Sequence, residues 1–188
     1  MSVVTLHAWR HPKTRATPGL CLGRTDVPVD PRKAKRLAHR IRTFARRNGL
    51  PRIVVTSPLS RCRDVGRWLA RCGWRHEVDA DLLELDFGSW DGRNWDSIPR
   101  HEVNAWCADF VDHAAGGGES VASLLQRVRR FSPGHARLVV THGGWLSAAR
   151  WLATNETAPP DFTRWPPAPI YGERVSLEAS PQRAELEA

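Results

Sequence analysis

The chain has 188 residues, of which 41% are hydrophobic and 26% charged, and its formal net charge is +8 at pH 7. This length suits one domain with a substantial core, and the composition excludes an intrinsically disordered chain. No apolar run approaches the roughly 20 residues that a membrane span needs, and the N-terminus lacks the features of a signal peptide. A cytoplasmic location is therefore expected.

Short apolar runs and amphipathic stretches alternate in the first half of the chain. Residues 3–9 form an apolar, β-branched run typical of a buried strand, and a loop rich in Gly, Pro, Thr and Asp follows. A helix is predicted from Pro31, with Asp30 as its N-cap and Gly49 as its stop. Its apolar positions keep the spacing of one buried face: Ala34, Leu37, Ala38, Ile41 and Ala45.

The same alternation continues to the end of the chain. A strand is predicted at 53–56 and then a helix to residue 73 that is capped by Ser60. Residues 76–92 read as an edge strand leading into a loop, and a proline-rich connector occupies 158–169. The remaining predicted elements are helices at 101–112, 119–131 and 144–152 and strands at 137–141 and 171–179. Alternating strands and helices predict an α/β fold, a three-layer αβα sandwich with a mostly parallel central sheet.

Cationic and imidazole side chains stand where the predicted central strands end. Arg10 and His11 follow the first strand, Arg61 lies just beyond the second, and His142 follows the strand at 137–141. Ligands of such sheets bind at the carboxyl ends of the strands. If these strands are neighbours, the four side chains converge on one crevice.

Such a cluster predicts a site for a phosphoryl group. Two arginines and two histidines repel one another unless an anion lies between them, and the guanidinium fork matches phosphate oxygens. The motif of nucleotide triphosphatases and the aspartates of magnesium-dependent phosphotransferases are missing. A histidine in this setting can act as nucleophile, and a carboxylic acid can protonate the leaving oxygen. The segment after residue 82 offers Glu84, Asp86 and Asp91 for that task.

Five short motifs together resemble the histidine phosphatase superfamily, in its phosphoglycerate mutase-like branch. In chain order they are RH after the first strand, SPLSRC, LLELDFGSWDGR, GGGES and VVTHGG. The resemblance implies that His11 is the phosphorylated nucleophile and that Glu84 is the general acid. It implies that Arg10, Arg61 and His142 hold the phosphoryl oxygens, with no metal and no cofactor. One domain over residues 1–179, followed by a flexible tail at 180–188, is expected.

The chain departs from the family pattern around its nucleophile. Pro12 stands where the family usually has glycine, Lys13 replaces a glutamate, and an asparagine often found a few residues later is missing. Proline removes a backbone N–H donor, so the departure affects the phosphate contacts of this loop rather than the nucleophile.

Finer motifs narrow the expected substrate. The segments GLCLGRTDVPV, FGSWDGRNWDSIPRHEVNAW and GGGESV look like those of α-ribazole phosphatase, which acts on a precursor in cobalamin synthesis. A small phosphorylated substrate, α-ribazole 5′-phosphate, is therefore expected, with Gly23 and Trp106 among the residues that contact it. An aromatic side chain such as Trp90, Trp95 or Trp106 could stack on the benzimidazole base.

Other functions stay open at this stage. Within the same family the alternatives are a broad-specificity or sugar-phosphate phosphatase, a phosphohistidine protein phosphatase, or a phosphoglycerate mutase-like protein, although the insertion that the mutases carry after the acid segment is not found in this chain. A different class is suggested by the basic amphipathic helix at 31–47, which could bind nucleic acid or an anionic membrane. We favour the enzyme, with no nucleic-acid or membrane partner, because the arginines are scattered along the chain.

Overall fold

The computed structural model describes residues 4–15, 18–154 and 159–179, and these ranges hold five β-strands and five α-helices. The strands are β1 (Val4–Arg10), β2 (Ile53–Thr56), β3 (Arg75–Val78), β4 (Leu138–Thr141) and β5 (Arg174–Ala179). The helices are α1 (Pro31–Arg47), α2 (Ser60–Ala70), α3 (Arg100–Ala108), α4 (Val121–Arg130) and α5 (Gly143–Ala153). None of the helices in these ranges is long and apolar enough to cross a bilayer.

The strands form one sheet in the order β3-β2-β4-β1-β5. The first four run parallel, and β5 pairs antiparallel with β1. Strand β4 lies between β1 and β2, with Arg10 opposite Thr141 and Thr56 opposite Val140. The carboxyl ends of these three strands therefore meet at one edge of the sheet, as the sequence predicts.

Helices cover both faces of the sheet. One core contains Ala8 and Val139 together with Leu124 of α4 and Leu146 of α5. The opposite core contains alternate strand residues together with the apolar residues of α1 and α2; among them are Trp9, Val54, Leu138, Val140, Leu37 and Leu69. Because successive strand residues point to opposite faces, every central strand contributes to both cores. The predicted α/β fold with a mostly parallel central sheet and helices on both faces is confirmed.

Helix α1 forms as its sequence predicts. The side chain of Asp30 accepts a hydrogen bond from the backbone N–H of Arg32 at 2.8 Å, and Pro31 is the first helical residue. The five positions of the predicted apolar face are all buried: Ala34, Leu37, Ala38, Ile41 and Ala45. The basic side chains consequently lie on the outer face of the helix.

The prediction that Ser60 caps α2 is wrong. Leu59 occupies the cap position, and Ser60 is the first helical residue. The backbone N–H of Ser60 instead donates to Asp26 Oδ1 at 2.7 Å, so a carboxylate from a distant loop satisfies this helix start. Helix α3 is also shorter than predicted and ends at Ala108. The predicted tail at 180–188 lies outside the described residues.

Candidate active site

Four side chains form a cationic pocket at the carboxyl edge of the sheet: Arg10, His11, Arg61 and His142. The rings of His11 and His142 lie 5.2 Å apart between centroids. The backbone N–H of His11 donates to the carbonyl oxygen of Thr141 at 3.0 Å, which ties the end of β1 to the end of β4. His11, Arg61 and His142 are buried, and Arg10 is half-buried.

Arg61 organises one side of the cationic pocket. Its Nε donates to His142 Nδ1 at 3.1 Å, and its Nη1 and Nη2 donate to the carbonyl oxygens of Thr25 and Gly23. The other imidazole nitrogen, His142 Nε2, lies 2.7 Å from Ser57 Oγ. Because Arg61 can only donate, His142 carries its proton on Nε2 and donates it to Ser57.

His11 is held by its neighbour along the chain. Its Nδ1 lies 2.8 Å from the carbonyl oxygen of Pro12. A carbonyl oxygen can only accept, so the proton of the neutral ring is on Nδ1 and the lone pair is on Nε2. The proline that departs from the family pattern thus supplies an acceptor, a role that does not need the backbone N–H it lacks.

The cationic pocket keeps both imidazoles neutral. Burial and the nearby Arg61 guanidinium lower the pKa of His11 to about 3. Burial and Arg61 likewise hold the pKa of His142 well below its ordinary value. Among the described residues, Arg10 Nε is one of the few buried side-chain donors without a hydrogen-bond partner. Neutral imidazoles and an unpaired guanidinium donor suit a site that receives an anion.

Glu84 is buried beside the start of α5. Its carboxylate accepts hydrogen bonds from the backbone N–H groups of Gly144 at 3.0 Å, Trp145 at 3.2 Å and Leu85 at 3.1 Å. His142 occupies the N-cap position of the same helix. The N-terminus of α5 therefore positions both the candidate acid and one wall of the cationic pocket.

Arg127 of α4, which belongs to none of the sequence motifs, holds the segment that carries Glu84. Its guanidinium makes two hydrogen bonds to Glu119, at 2.9 and 2.8 Å, and donates to the carbonyl oxygens of Asp81 and Leu83. Arg127 is only 5% exposed. One available signal was its position three residues after Leu124, on the apolar side of an amphipathic helix, where an arginine needs a partner.

Gly23 lies at a close approach between two loops. A Cβ at this position would come within 2.3 Å of the carbonyl oxygen of Leu85. The backbone N–H groups of Gly23, Arg24 and Thr25 donate to the carboxylate of Asp91. These contacts give Gly23 a packing role, and its contact with substrate stays a prediction.

An aromatic cluster surrounds Trp106, and comprises Phe87, Trp90, Trp95, Trp106 and Phe110. The ring of Trp106 is half-buried and stacks on Trp95, with centroids 6.5 Å apart and planes inclined by 14°. Trp90 is buried and donates from Nε1 to Glu102 at 2.7 Å. Trp90 is thus fixed inside the cluster, whereas Trp106 and Trp95 keep part of their surface open.

The described residues contain no cluster of three His, Cys, Asp or Glu side chains placed to hold a metal ion. Their cysteines are all free; Cys21 and Cys62 are buried and Cys72 is exposed. Burial raises the pKa of the Cys62 thiol, which lies 3.5 Å from His142 Nε2. Cys62 is accordingly a packing residue of the cationic pocket.

Residues 6–186 match the model of the histidine phosphatase superfamily (branch 1). The chain is 36% identical over 105 residues to the bifunctional protein Rv2228c of Mycobacterium tuberculosis, a match that covers 54% of this chain and 28% of that protein. It is 32% identical over 133 residues to the probable phosphoglycerate mutase GpmB of Escherichia coli O1:K1, covering 64% of this chain and 60% of GpmB. The matches span less than two thirds of either relative.

A solved structure shares the fold over nearly the whole chain. It is a putative α-ribazole-5′-P phosphatase from Escherichia coli K-12, with a TM-score of 0.76. The superposition covers 96% of this chain and 93% of that one at 24% sequence identity. At this identity the likeness concerns the fold.

Proposed function

The chain belongs to the histidine phosphatase superfamily, and we propose that it is a metal-independent phosphomonoesterase that works through a phosphohistidine. The observation that carries this proposal is the state of His11: a buried, neutral imidazole whose Nδ1 is bound to Pro12, so that Nε2 holds the lone pair. Such a nitrogen is a nucleophile near neutral pH.

In the first step, His11 Nε2 attacks phosphorus, a P–N bond forms and the P–O bond of the ester breaks. Arg10, Arg61 and His142 line the pocket that would hold the phosphoryl oxygens. Fixed cationic donors lower the barrier because they offset charge on the transferring group without rearranging. The Nε–H of Arg10 supports this role, because it is a donor without a hydrogen-bond partner among the described residues.

Glu84 completes the cycle as the proposed acid and base. Its protonated carboxyl gives a proton to the oxygen of the leaving group as the ester bond breaks. In the second step the carboxylate takes a proton from water, whose oxygen bonds to phosphorus while the P–N bond breaks. Phosphate leaves, and neutral His11 is regenerated. The support for this assignment is the family resemblance of the segment LLELDFGSWDGR, together with the location of Glu84 beside the N-cap residue His142.

The substrate we propose is α-ribazole 5′-phosphate. The support is the subfamily resemblance of the segments around Gly23, Phe87 and Trp106, together with open aromatic surface on Trp95 and Trp106. A base that stacks on such a surface gains roughly 0.5–1.5 kcal/mol beyond its buried area. The alternative within the family is a phosphoglycerate mutase-like or sugar-phosphate enzyme. The match to GpmB supports the phosphoglycerate mutase-like alternative.

The deciding experiment measures phosphate release in EDTA from α-ribazole 5′-phosphate, p-nitrophenyl phosphate and 3-phosphoglycerate, together with formation of 2-phosphoglycerate. Wild type is compared with His11→Ala and with His39→Ala, a control that replaces an exposed histidine of α1. We expect fast release from α-ribazole 5′-phosphate that His11→Ala abolishes and His39→Ala preserves. Formation of 2-phosphoglycerate would favour the mutase, and release that survives His11→Ala would refute the nucleophile.

A further inference from the structure

Tyr171, the one tyrosine of the chain, packs against both residues at the end of β1. The guanidinium carbon of Arg10 lies 4.0 Å from the centroid of the tyrosine ring. The centroid of the His11 ring lies 5.5 Å from the same ring. Tyr171 nevertheless remains 42% exposed, so it contributes little to the core.

The backbone around Tyr171 is joined to the same two residues. The N–H of Gly172 lies 3.1 Å from the carbonyl oxygen of Arg10 and 3.3 Å from that of His11. Gly172 has a φ of 76°, a conformation that favours glycine. Arg10 Nη1 in turn donates to the carbonyl oxygen of Pro169 at 2.6 Å. Residues 169–172 therefore hold Tyr171 in a fixed place beside Arg10.

Among the described residues, these contacts pair only Nη1 of the Arg10 guanidinium by a hydrogen bond and leave Nη2 and Nε available. Its charge rests against the ring of Tyr171, and Nη1 is taken by Pro169. Gly143 approaches closely, since a Cβ there would lie 3.2 Å from Cζ of Arg10 and 3.3 Å from Nε. Nε itself is buried and has no hydrogen-bond partner among the described residues. A planar group confined in this way can present its remaining N–H groups to an anion in only one orientation.

We propose that Tyr171 is a positioning residue, which acts through Arg10 by holding its guanidinium in the orientation that binds a phosphoryl oxygen. This inference rests on the proposed function of the cationic pocket as a phosphoryl site. The ring acts through its π face rather than its hydroxyl, since the contact with Arg10 is to the ring centre. The effect is on the phosphoryl group and is therefore the same for every leaving group.

The test compares Tyr171→Leu, which removes the π face, with Tyr171→Phe, which keeps it. Ile170→Ala is the matched control, because Ile170 is the adjacent residue and is 75% exposed. Calorimetry gives the dissociation constant of inorganic phosphate, and kinetics give kcat/KM for p-nitrophenyl phosphate and for an alkyl phosphate. We expect Tyr171→Leu to raise the dissociation constant roughly three- to tenfold and to lower kcat/KM equally for both substrates. The other two variants should match wild type.

A double-mutant cycle separates this role from a structural one. In an Arg10→Gln background, Tyr171→Leu should leave the dissociation constant of phosphate unchanged, because the group on which it acts is gone. An undiminished effect in that background would overturn the proposal. An unchanged dissociation constant in the single variant, or a loss that depends on the leaving group, would overturn it as well.

Failure of this inference can be told apart from failure of the proposed function. A wild-type protein that binds phosphate but hydrolyses no ester would refute the function, while the binding comparison would still decide the role of Tyr171. Active wild type with equal phosphate binding in Tyr171→Leu would refute only the inference. A wild-type protein that does not bind phosphate would refute both.

Discussion

The cationic pocket and the aromatic cluster are built in different ways. The pocket residues Arg10 and His142 lie at the ends of two hydrogen-bonded strands, whose register places Arg10 opposite Thr141. The aromatic cluster comes from the connection after β3 and from α3, where Trp106 and Trp95 are held by packing against each other. Backbone pairing thus fixes one region, and side-chain packing fixes the other.

In the proposed reaction the two regions have different roles: the cationic pocket binds the phosphoryl group, and the aromatic cluster contacts the leaving group. A phosphoryl group is the same in every phosphomonoester, and a rigid site can be complementary to it. The leaving group varies, and a surface of packed aromatic rings can change with few consequences for the sheet. Changes in the cationic pocket should therefore affect all substrates, whereas changes in the aromatic cluster should affect some.

Glu84→Gln should produce the largest effect, and its size should depend on the leaving group of the substrate. With α-ribazole 5′-phosphate, kcat/KM, which reports the steps up to cleavage of the ester, should fall by about 10²–10⁴-fold, because the leaving alkoxide no longer receives a proton. With p-nitrophenyl phosphate the loss should be smaller, since p-nitrophenolate departs without one. Steady-state kinetics on both substrates make the comparison, with Asp86→Asn as a control on the same segment. Equal losses of kcat/KM on the two substrates would contradict the role of Glu84 as general acid; kcat also includes the second step, in which Glu84 acts as base on both.

Arg127→Met should have the second-largest effect on activity. It should act indirectly, through the segment that carries Glu84. Loss of the guanidinium leaves the mostly buried carboxylate of Glu119 with the longer ion pair to Arg24 as its remaining ion pair among the described residues, and should lower the free energy of unfolding by about 3 kcal/mol. The segment carrying Glu84 also loses its bonds to Arg127, so kcat should fall roughly tenfold, as expected for a misplaced catalytic group. Urea unfolding and kinetics measure these effects. Arg129→Met, an exposed neighbour on α4, should change neither, and a similar effect there would refute the explanation.

Acid should destabilise the folded protein through the two buried histidines of the cationic pocket. The pKa of His11 falls from 6.5 to about 3 on folding, so below pH 6.5 the unfolded chain binds a proton that the folded chain does not. Stability from this group is fully present above pH 6.5 and decreases as the pH falls towards 3, by up to about 1.4 kcal/mol per pH unit. His142 adds a contribution of the same sign. Chemical unfolding at several pH values should show a shallower slope in His11→Gln; an unchanged slope would contradict the linkage.

Trp106→Leu should have the smallest effect and be confined to the leaving group. We expect KM for α-ribazole 5′-phosphate to rise by roughly two- to tenfold, which corresponds to the loss of one aromatic contact. KM for p-nitrophenyl phosphate should stay within about twofold of the wild-type value, because no stacking contact is lost with that substrate. Trp68→Leu, at a half-buried tryptophan of α2, is the control. An equal rise for both substrates would mean that the aromatic cluster supports the cationic pocket rather than the substrate.

The difference between backbone pairing and side-chain packing also explains how much of the site can be predicted from the sequence. Arg10, His11 and His142 follow apolar runs directly, so the rule that parallel strands end together predicts their convergence. Arg127 and Tyr171 escape prediction because their importance depends on which carbonyl or guanidinium the fold brings to them. Ser60 illustrates the same limit for a helix end: its residue type suits a cap, but the carboxylate of Asp26 arrives from another loop.

The proline beside the proposed nucleophile has a consequence for the entropy of the site. A pyrrolidine ring fixes φ near −65°, so the direction of the Pro12 carbonyl depends on one free torsion instead of two. The acceptor that holds the proton on His11 Nδ1 therefore loses less torsional freedom when the chain folds. A glycine at this position would have to lose the freedom of its φ torsion on folding. Fluctuations of that torsion would also move the carbonyl group that orients the His11 imidazole.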